Sequence, residues 1–320
     1  MKDTLPAILD PALPGLAEAV KYAAHSLSAE TLRGYKADWA DFCAWCARNH
    51  VTPLPAEPQA VAAYLASLAK THGRSALRRR LSAIGQAHRL KQLDWMPGHP
   101  AIRHTLRGIL RQHGTPPRQA AALTTPEIAK LVATCDGGLT GCRDRALLLL
   151  GYAGALRRSE LAAVQREEIT FVLDGLRLLV PKSKTDPEGQ GVELGIPRGA
   201  KKETCPVRAL QRWIEVSRCE YGPVFRKVDQ WGGISHDALH PDAVRYILQL
   251  RAKAAGLKLS ITERLSPHGL RAGMITAAYQ AGARDEEIMG HSRHKSHTAM
   301  RGYVRRAKII TESPAKKLGL

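Results

Sequence analysis

Acidic residues are scarce in this chain of 320 residues: 29 Asp and Glu stand against 48 Lys and Arg, for a net charge of +19 and a pI near 10.0. That balance points to a polyanion rather than a neutral small molecule as partner. Long apolar runs are missing as well. The longest, Ala146 to Leu156, covers 11 residues and includes two glycines, too short to span a bilayer. The opening MKDTLPAILDPALPGL sets Asp3 beside its single lysine and scatters three prolines, so the basic and apolar blocks of a secretion signal are lacking. A soluble cytoplasmic protein of bacterial type is expected, without a membrane partner. Cysteine is sparse and dispersed, at positions 43, 46, 135, 142, 205 and 219, which excludes a disulfide scaffold. Cys43 and Cys46 form a CxxC followed by His50, but no second ligand pair accompanies them. Helix packing is therefore expected there, with no metal and no cofactor.

What is present is a 44% hydrophobic chain with long periodic segments, which is the composition of a folded enzyme rather than a basic tail. Its length fits two domains. Residues 1–24 read as a lead-in. Ser28 then caps a helix with Leu32, Tyr35, Trp39, Phe42 and Cys46 inward. A second helix after Pro55 turns Val61, Tyr64, Leu65 and Leu68 inward, a third from Ser75 carries Leu77, Leu81 and Ile84, and a fourth after Pro100 carries Ile102, Leu106 and Ile109. Residues 25–112 thus form a four-helix domain. Arg78, Arg79 and Arg80 on the third helix, and Arg103, Arg107 and Arg111 on the fourth, are candidates for tracking phosphates.

The proline-broken stretch 113–122 reads as a linker, and residues 123–312 as a second domain with a basic tail at 313–320. That domain opens with a capped helix at Thr125–Thr134, where Pro126 suits the first helical position, and a buried helix from Arg143 that runs into GALRRSEL. The period then changes: TFVL, an Asp174-Gly175 turn, LRLLV, a polar loop and VELGI predict a three-stranded antiparallel sheet. Helices are expected near 203–218, 238–255, 266–281, 284–290 and 296–309. The fold class is mainly α.

Several side chains in this half suit phosphate chemistry. Arg157 closes the buried apolar helix, so its charge must find a partner or a ligand. Glu160, three residues on, can orient an arginine or a histidine. Ser266-Pro267 reads as the start of a helix, which puts His268 and Arg271 on one face of its opening turns, beside free backbone N–H groups suited to an anion. Downstream lie His291, His294 and Tyr303.

Taken in order, GALRRSEL, KSKTD in a hairpin, HGLR, and HKS followed by Tyr resemble the tyrosine recombinase, or phage integrase, family along nearly the whole chain. The resemblance implies an N-terminal core-binding domain of the SAM-like kind and a catalytic domain of the DNA breaking-rejoining fold. It implies that Tyr303 attacks the scissile phosphate of double-stranded DNA, that Arg157 and Arg271 clamp that phosphate, and that Lys184 and His268 carry protons. His294 would hydrogen-bond a phosphoryl oxygen: it stands nine residues before Tyr303, the family interval, whereas His291 in MGHS stands twelve before. Lys182 is the alternative lysine, and Gly302 departs from the helix former expected before the tyrosine. A homotetramer on paired sites, with accessory DNA-bending proteins, is implied too. The other readings are a type IB topoisomerase-like enzyme and a catalytically silent DNA-binding regulator on the same fold.

Overall fold

The computed structural model describes Glu18, Tyr22, residues 26–181, Asp186, 189–308 and 313–318. Apart from Glu18 and Tyr22, the expected lead-in lies outside the described residues, as do Lys182 and Lys184. The chain divides into two compact units, residues 1–117 and 118–320.

The first unit is built from α1 (Ala29–Arg48), α2 (Pro58–Ser67), α3 (Arg74–Leu90) and α4 (Pro100–His113). Ser28 starts α1, its Oγ accepting from Thr31 N at 3.2 Å, and prolines occupy the first turns of α2 and α4, where a missing N–H costs nothing. Phe42, Cys46, Val61, Tyr64, Leu65, Leu77, Ile84 and Ile102 make the core. The inward stripe of α1 is shorter than its periodicity suggests: Leu32 is exposed, and burial begins in the second half of the helix. Cys46, half of the CxxC, is an ordinary core residue.

The second unit begins with β1 (Gln119–Ala120), paired in parallel with β7 (Glu263–Arg264), so residues 118–122 of the expected linker belong to its fold. Next come α5 (Thr125–Ala133), α6 (Leu139–Ala153) and α7 (Arg158–Ala163). In α6, Ala146 through Leu150 are buried on every side, so it is the axis of the core. β2 (Ile169–Val172), β3 (Gly175–Val180) and β4 (Val192–Pro197) form an antiparallel sheet in that order, with the Asp174-Gly175 turn joining β2 to β3. Leu176 and Leu178 of β3, with Leu194 and Ile196 of β4, put alternate side chains into the core. After α8 (Pro206–Ser217), a hairpin of β5 (Arg226–Val228) and β6 (Ile234–Ala238) precedes α9 (Pro241–Ala254). The expected helix at 238–255 is therefore shorter, because its first residue closes a strand.

The last three helices are α10 (His268–Gln280), α11 (Asp285–Ser292) and α12 (His297–Lys308). Two glycines one turn apart fix α10. A Cβ on Gly269 or Gly273 would collide with the backbone of Ala121 or Leu123, and Leu123 N donates to Gly269 O at 3.0 Å. The helix that carries His268 and Arg271 is thereby pressed against the start of the unit. No described helix is long and apolar enough to cross a membrane.

Candidate active site

Three backbone features of the second unit bring distant side chains together. First, α6 stops at Ala153, and Gly154, Ala155 and Leu156 turn the chain; Ala155 adopts φ 45° and Leu156 N bonds back to Gly151 O. Arg157 thus does not end the apolar helix but stands at the N-cap of α7. Glu160 completes a capping box there, Oε2 accepting from Arg157 N at 2.9 Å and Oε1 from Arg157 Nη1 at 2.6 Å. Second, α10 starts at His268 with Pro267 as its cap, so Ser266 is one residue farther from the helix than its sequence suggests. Third, α11 ends on Arg293 in the left-handed region, φ 57°, which turns His294 back toward α10.

Tyr303, on α12, has its Oη 2.5 Å from Nε2 of His268. The rings of His268 and His294 lie 5.7 and 5.8 Å from that of Tyr303, centroid to centroid. Arg271, 1% exposed, donates from Nη1 to Ala155 O at 2.8 Å, and its Nη2 lies 3.3 and 3.4 Å from the two ring nitrogens of His294. A cavity of about 400 Å³ opens beside the tyrosine, lined by Gln119, Ala120, His268, Ala299, Gly302 and Tyr303. At Gly302 a Cβ would meet nothing within 4 Å, so packing does not demand glycine there.

The electrostatics are lopsided. Arg157, Arg271 and Arg293 surround one carboxylate, Glu160, which takes Arg293 Nη2 at 2.8 Å besides its bonds to Arg157. Burial, reinforced by Arg157 and Arg293, pulls Arg271 down to about 10. Arg293 is also lowered by burial, although Glu160 opposes the shift. At Glu160 burial works against the carboxylate, but the Arg157 backbone N–H, its guanidinium and Arg293 outweigh it and leave the pKa below the ordinary range. His294 is pulled down to about 4, by burial first and then by Arg271, so its ring is neutral at pH 7. The buried hydroxyl of Ser292 donates to Ile288 O at 2.6 Å and so accepts from His294 Nδ1, 2.7 Å away, leaving the lone pair on Nε2. An excess of cationic groups in a buried setting is suited to an anion.

His291 is held elsewhere. Its Nε2 donates to Ala153 O at 2.7 Å, and burial lowers its pKa. Lys184 is outside the described residues, while Asp186, in the same loop, accepts from Gly191 N at 2.9 Å and Gln190 N at 3.2 Å near the base of β4. Arg293 was not marked by the sequence. Its only sequence signal is the company it keeps, between a small polar residue and His294, which does not distinguish a buried guanidinium from a solvated one.

The arginines of the first unit separate into two groups. Arg103, Arg107 and Arg111 are all exposed along α4, four residues apart and so on one face. Arg78, Arg79 and Arg80 cannot share a face, because consecutive helical residues point about 100° apart. Arg78 is exposed; Arg79 is bound to Asp38 by Nε at 2.6 Å and Nη2 at 3.0 Å; Arg80 is buried, bonded to Asp41 and Tyr64 at 2.6 Å and to His72 at 3.0 Å. Arg80 falls on the inward stripe with Leu77, Leu81 and Ile84, so it braces the helices and is not available to a phosphate. Among the described residues, no group of three or more His, Cys, Asp or Glu is arranged to hold a metal ion.

Residues 121–308 match the model of the phage integrase family. A Selenomonas ruminantium protein, an integrase/recombinase xerD homolog, is 32% identical over 293 residues, covering 90% of this chain and 85% of its own length. The fold is similar to that of the XerH site-specific recombinase bound to a palindromic difH substrate in a post-cleavage complex, with a TM-score of 0.64, 15% identity, and coverage of 95% of this chain and 84% of the other. It is also similar to a lambda integrase tetramer bound to a Holliday junction, with a TM-score of 0.58, 18% identity, and coverage of 90% and 75%.

Proposed function

This chain belongs to the phage integrase family of tyrosine recombinases, and from that premise we propose that Tyr303 is its nucleophile in cutting and rejoining DNA. It is a DNA strand transferase acting by site-specific recombination. Tyr303 Oη attacks phosphorus, the P–O bond to the 5′ oxygen breaks, and a 3′-phosphotyrosine forms. A 5′-hydroxyl from the partner strand then attacks the phosphotyrosine, and Tyr303 leaves. One phosphoester is exchanged for another in each step, so no nucleotide hydrolysis enters the balance.

A free tyrosine hydroxyl ionises near pH 10, and needs both a proton acceptor and cationic neighbours to react at neutral pH. His268, at 2.5 Å, accepts that proton. Arg157 and Arg271 balance charge on the phosphorane, each such preorganised contact being worth about 3 to 4 kcal/mol. His294 reaches a phosphoryl oxygen through Nε2 once the arriving anion favours its protonation, and Lys184 protonates the departing 5′ oxygen. Glu160 keeps Arg157 in place, and His291 has no part in the chemistry. The observation that carries the reading is the convergence of Tyr303, His268, His294 and Arg271 from three separate stretches of sequence.

Arg78, Arg103, Arg107 and Arg111 track phosphates in the first unit, with Arg79 contributing its exposed edge. Residues 26–117 act as the core-binding domain and 118–308 as the catalytic domain. Four protomers assemble on two sites, by analogy with the lambda integrase tetramer, and accessory DNA-bending proteins set the direction of exchange. The protein works in the bacterial cytoplasm, on nucleoid DNA. The test is a nicked suicide duplex taken from a pool with randomised arms enriched by covalent capture, read by denaturing electrophoresis. Wild type is expected to form a protein–DNA adduct and Tyr303→Phe none. Equal adduct from both proteins, or none from wild type, overturns the reading.

A further inference from the structure

We propose that Arg293 is a positioning residue of this active site: it fixes Glu160, which holds Arg157, and the Ala155 carbonyl, which holds Arg271. The inference rests on the functional reading above. Its geometry is direct. Nη2 of Arg293 donates to Glu160 Oε2 at 2.8 Å and to Ala155 O at 3.3 Å, and Nη1 donates to Gly154 O and His291 O, both at 3.3 Å. The same Glu160 oxygen receives the Arg157 N–H, and the same Ala155 carbonyl receives Arg271 Nη1. One guanidinium therefore touches the supports of both clamp arginines, while its own backbone turns the chain into His294.

Two costs argue that this is more than packing. A non-glycine residue at φ 57° is strained where glycine would not be, and a guanidinium 8% exposed has given up its hydration. Nε of Arg293 is also buried without a hydrogen-bond partner among the described residues, so the site is not optimised for stability alone. The compensating contacts are all directed at Glu160, the Gly154-Ala155 turn and His291 O. Moreover, Arg293 is, among the described residues, a third guanidinium beside Glu160, an imbalance that a phosphate diester corrects.

Arg293→Gly is the informative variant, because glycine accepts the left-handed backbone there while the side chain and its guanidinium are removed. Three quantities are read with the enriched nicked duplex: the rate of adduct formation at saturating DNA, the Kd by fluorescence anisotropy, and the melting midpoint. Adduct formation, measured well below the melting midpoint of each protein, is expected to slow by about 100-fold, the scale on which a small misplacement of catalytic groups acts, with Kd near wild type and a lowered melting midpoint, since Glu160 loses a buried partner. Arg293→Lys is expected to recover part of the rate, since an ammonium reaches Glu160 but cannot also span two carbonyls. The role is overturned if Arg293→Gly cleaves within about threefold of wild type. It is equally overturned if both variants lose rate only in proportion to melting midpoint or affinity, which is what a merely structural residue would do. Wild type and Tyr303→Phe run on the same gel, so an absent wild-type adduct marks failure of the functional reading, whereas an active Arg293→Gly beside an active wild type sinks this inference alone.

Discussion

In the first unit, Arg79 and Arg80 meet two carboxylates, Asp38 and Asp41; in the second, Arg157 and Arg293 both pair with Glu160, and Arg271 lies close by. Both clusters are partly buried, both use short charge-assisted bonds, and both draw together elements far apart in sequence. The balance of charge separates them. Asp38 raises the pKa of Arg79 by hydrogen bonding, so that pair is content as it stands. Burial and the neighbouring arginines lower that of Arg271, so its cluster is suited to an anion. A buried arginine is thus a brace or a binding site according to how many carboxylates accompany it, and the count is invisible until the fold brings them together.

Removing one member of each cluster breaks the comparison most sharply. Arg271→Ala is expected to lower the adduct rate by about 10² to 10³, or 3 to 4 kcal/mol, measured at saturating DNA on the suicide duplex. Loss of DNA affinity without loss of rate would make Arg271 a binding residue only. Arg80→Ala is expected to leave the rate constant of cleavage unchanged and to destabilise the first unit by about 1 to 3 kcal/mol, seen in urea unfolding. The larger penalty of a broken buried pair does not apply, because Asp41 is half exposed and can be rehydrated.

The smallest effect is a slope with pH. His294 titrates near 6.5 when unfolded and near 4 when folded, so on acidification the unfolded state takes up its proton first. The stability that His294 contributes is present above pH 6.5 and is lost as pH falls toward about 4. His291, also lowered, adds to the slope in the same sense. His294→Gln is expected to flatten the fall in unfolding free energy between those limits, as measured by urea titration across pH. An unchanged slope would show that His294 is not a half-buried neutral ring.

Much of the fold is legible in the sequence. Ser28, Pro58, Pro100 and Pro206 start helices for reasons local to each, and the Asp174-Gly175 turn announces its hairpin. The pair β5 and β6 is not legible, because those strands are short, only partly buried, and carry one apolar residue packed on the core apiece, Val228 and Ile234. Arg80 read as a surface residue because charge in a helix is normally solvated; only the tertiary partners Asp41 and Tyr64 explain its burial. The site divides the same way. Tyr303, Arg157, Arg271 and His268 carry recognisable motifs, whereas Arg293 acts on Gly154, Ala155 and Glu160, more than 130 residues away, and no local pattern points across that distance.

The central claim is that Tyr303 becomes covalently attached to DNA. Trapping the adduct on the nicked duplex, digesting protein and DNA, and sequencing the nucleotide-bearing peptide by mass spectrometry tests it at one atom. The modification is expected on Tyr303, in the MRGYV segment; a nucleotide on Tyr152, Tyr279 or any other residue would contradict that role.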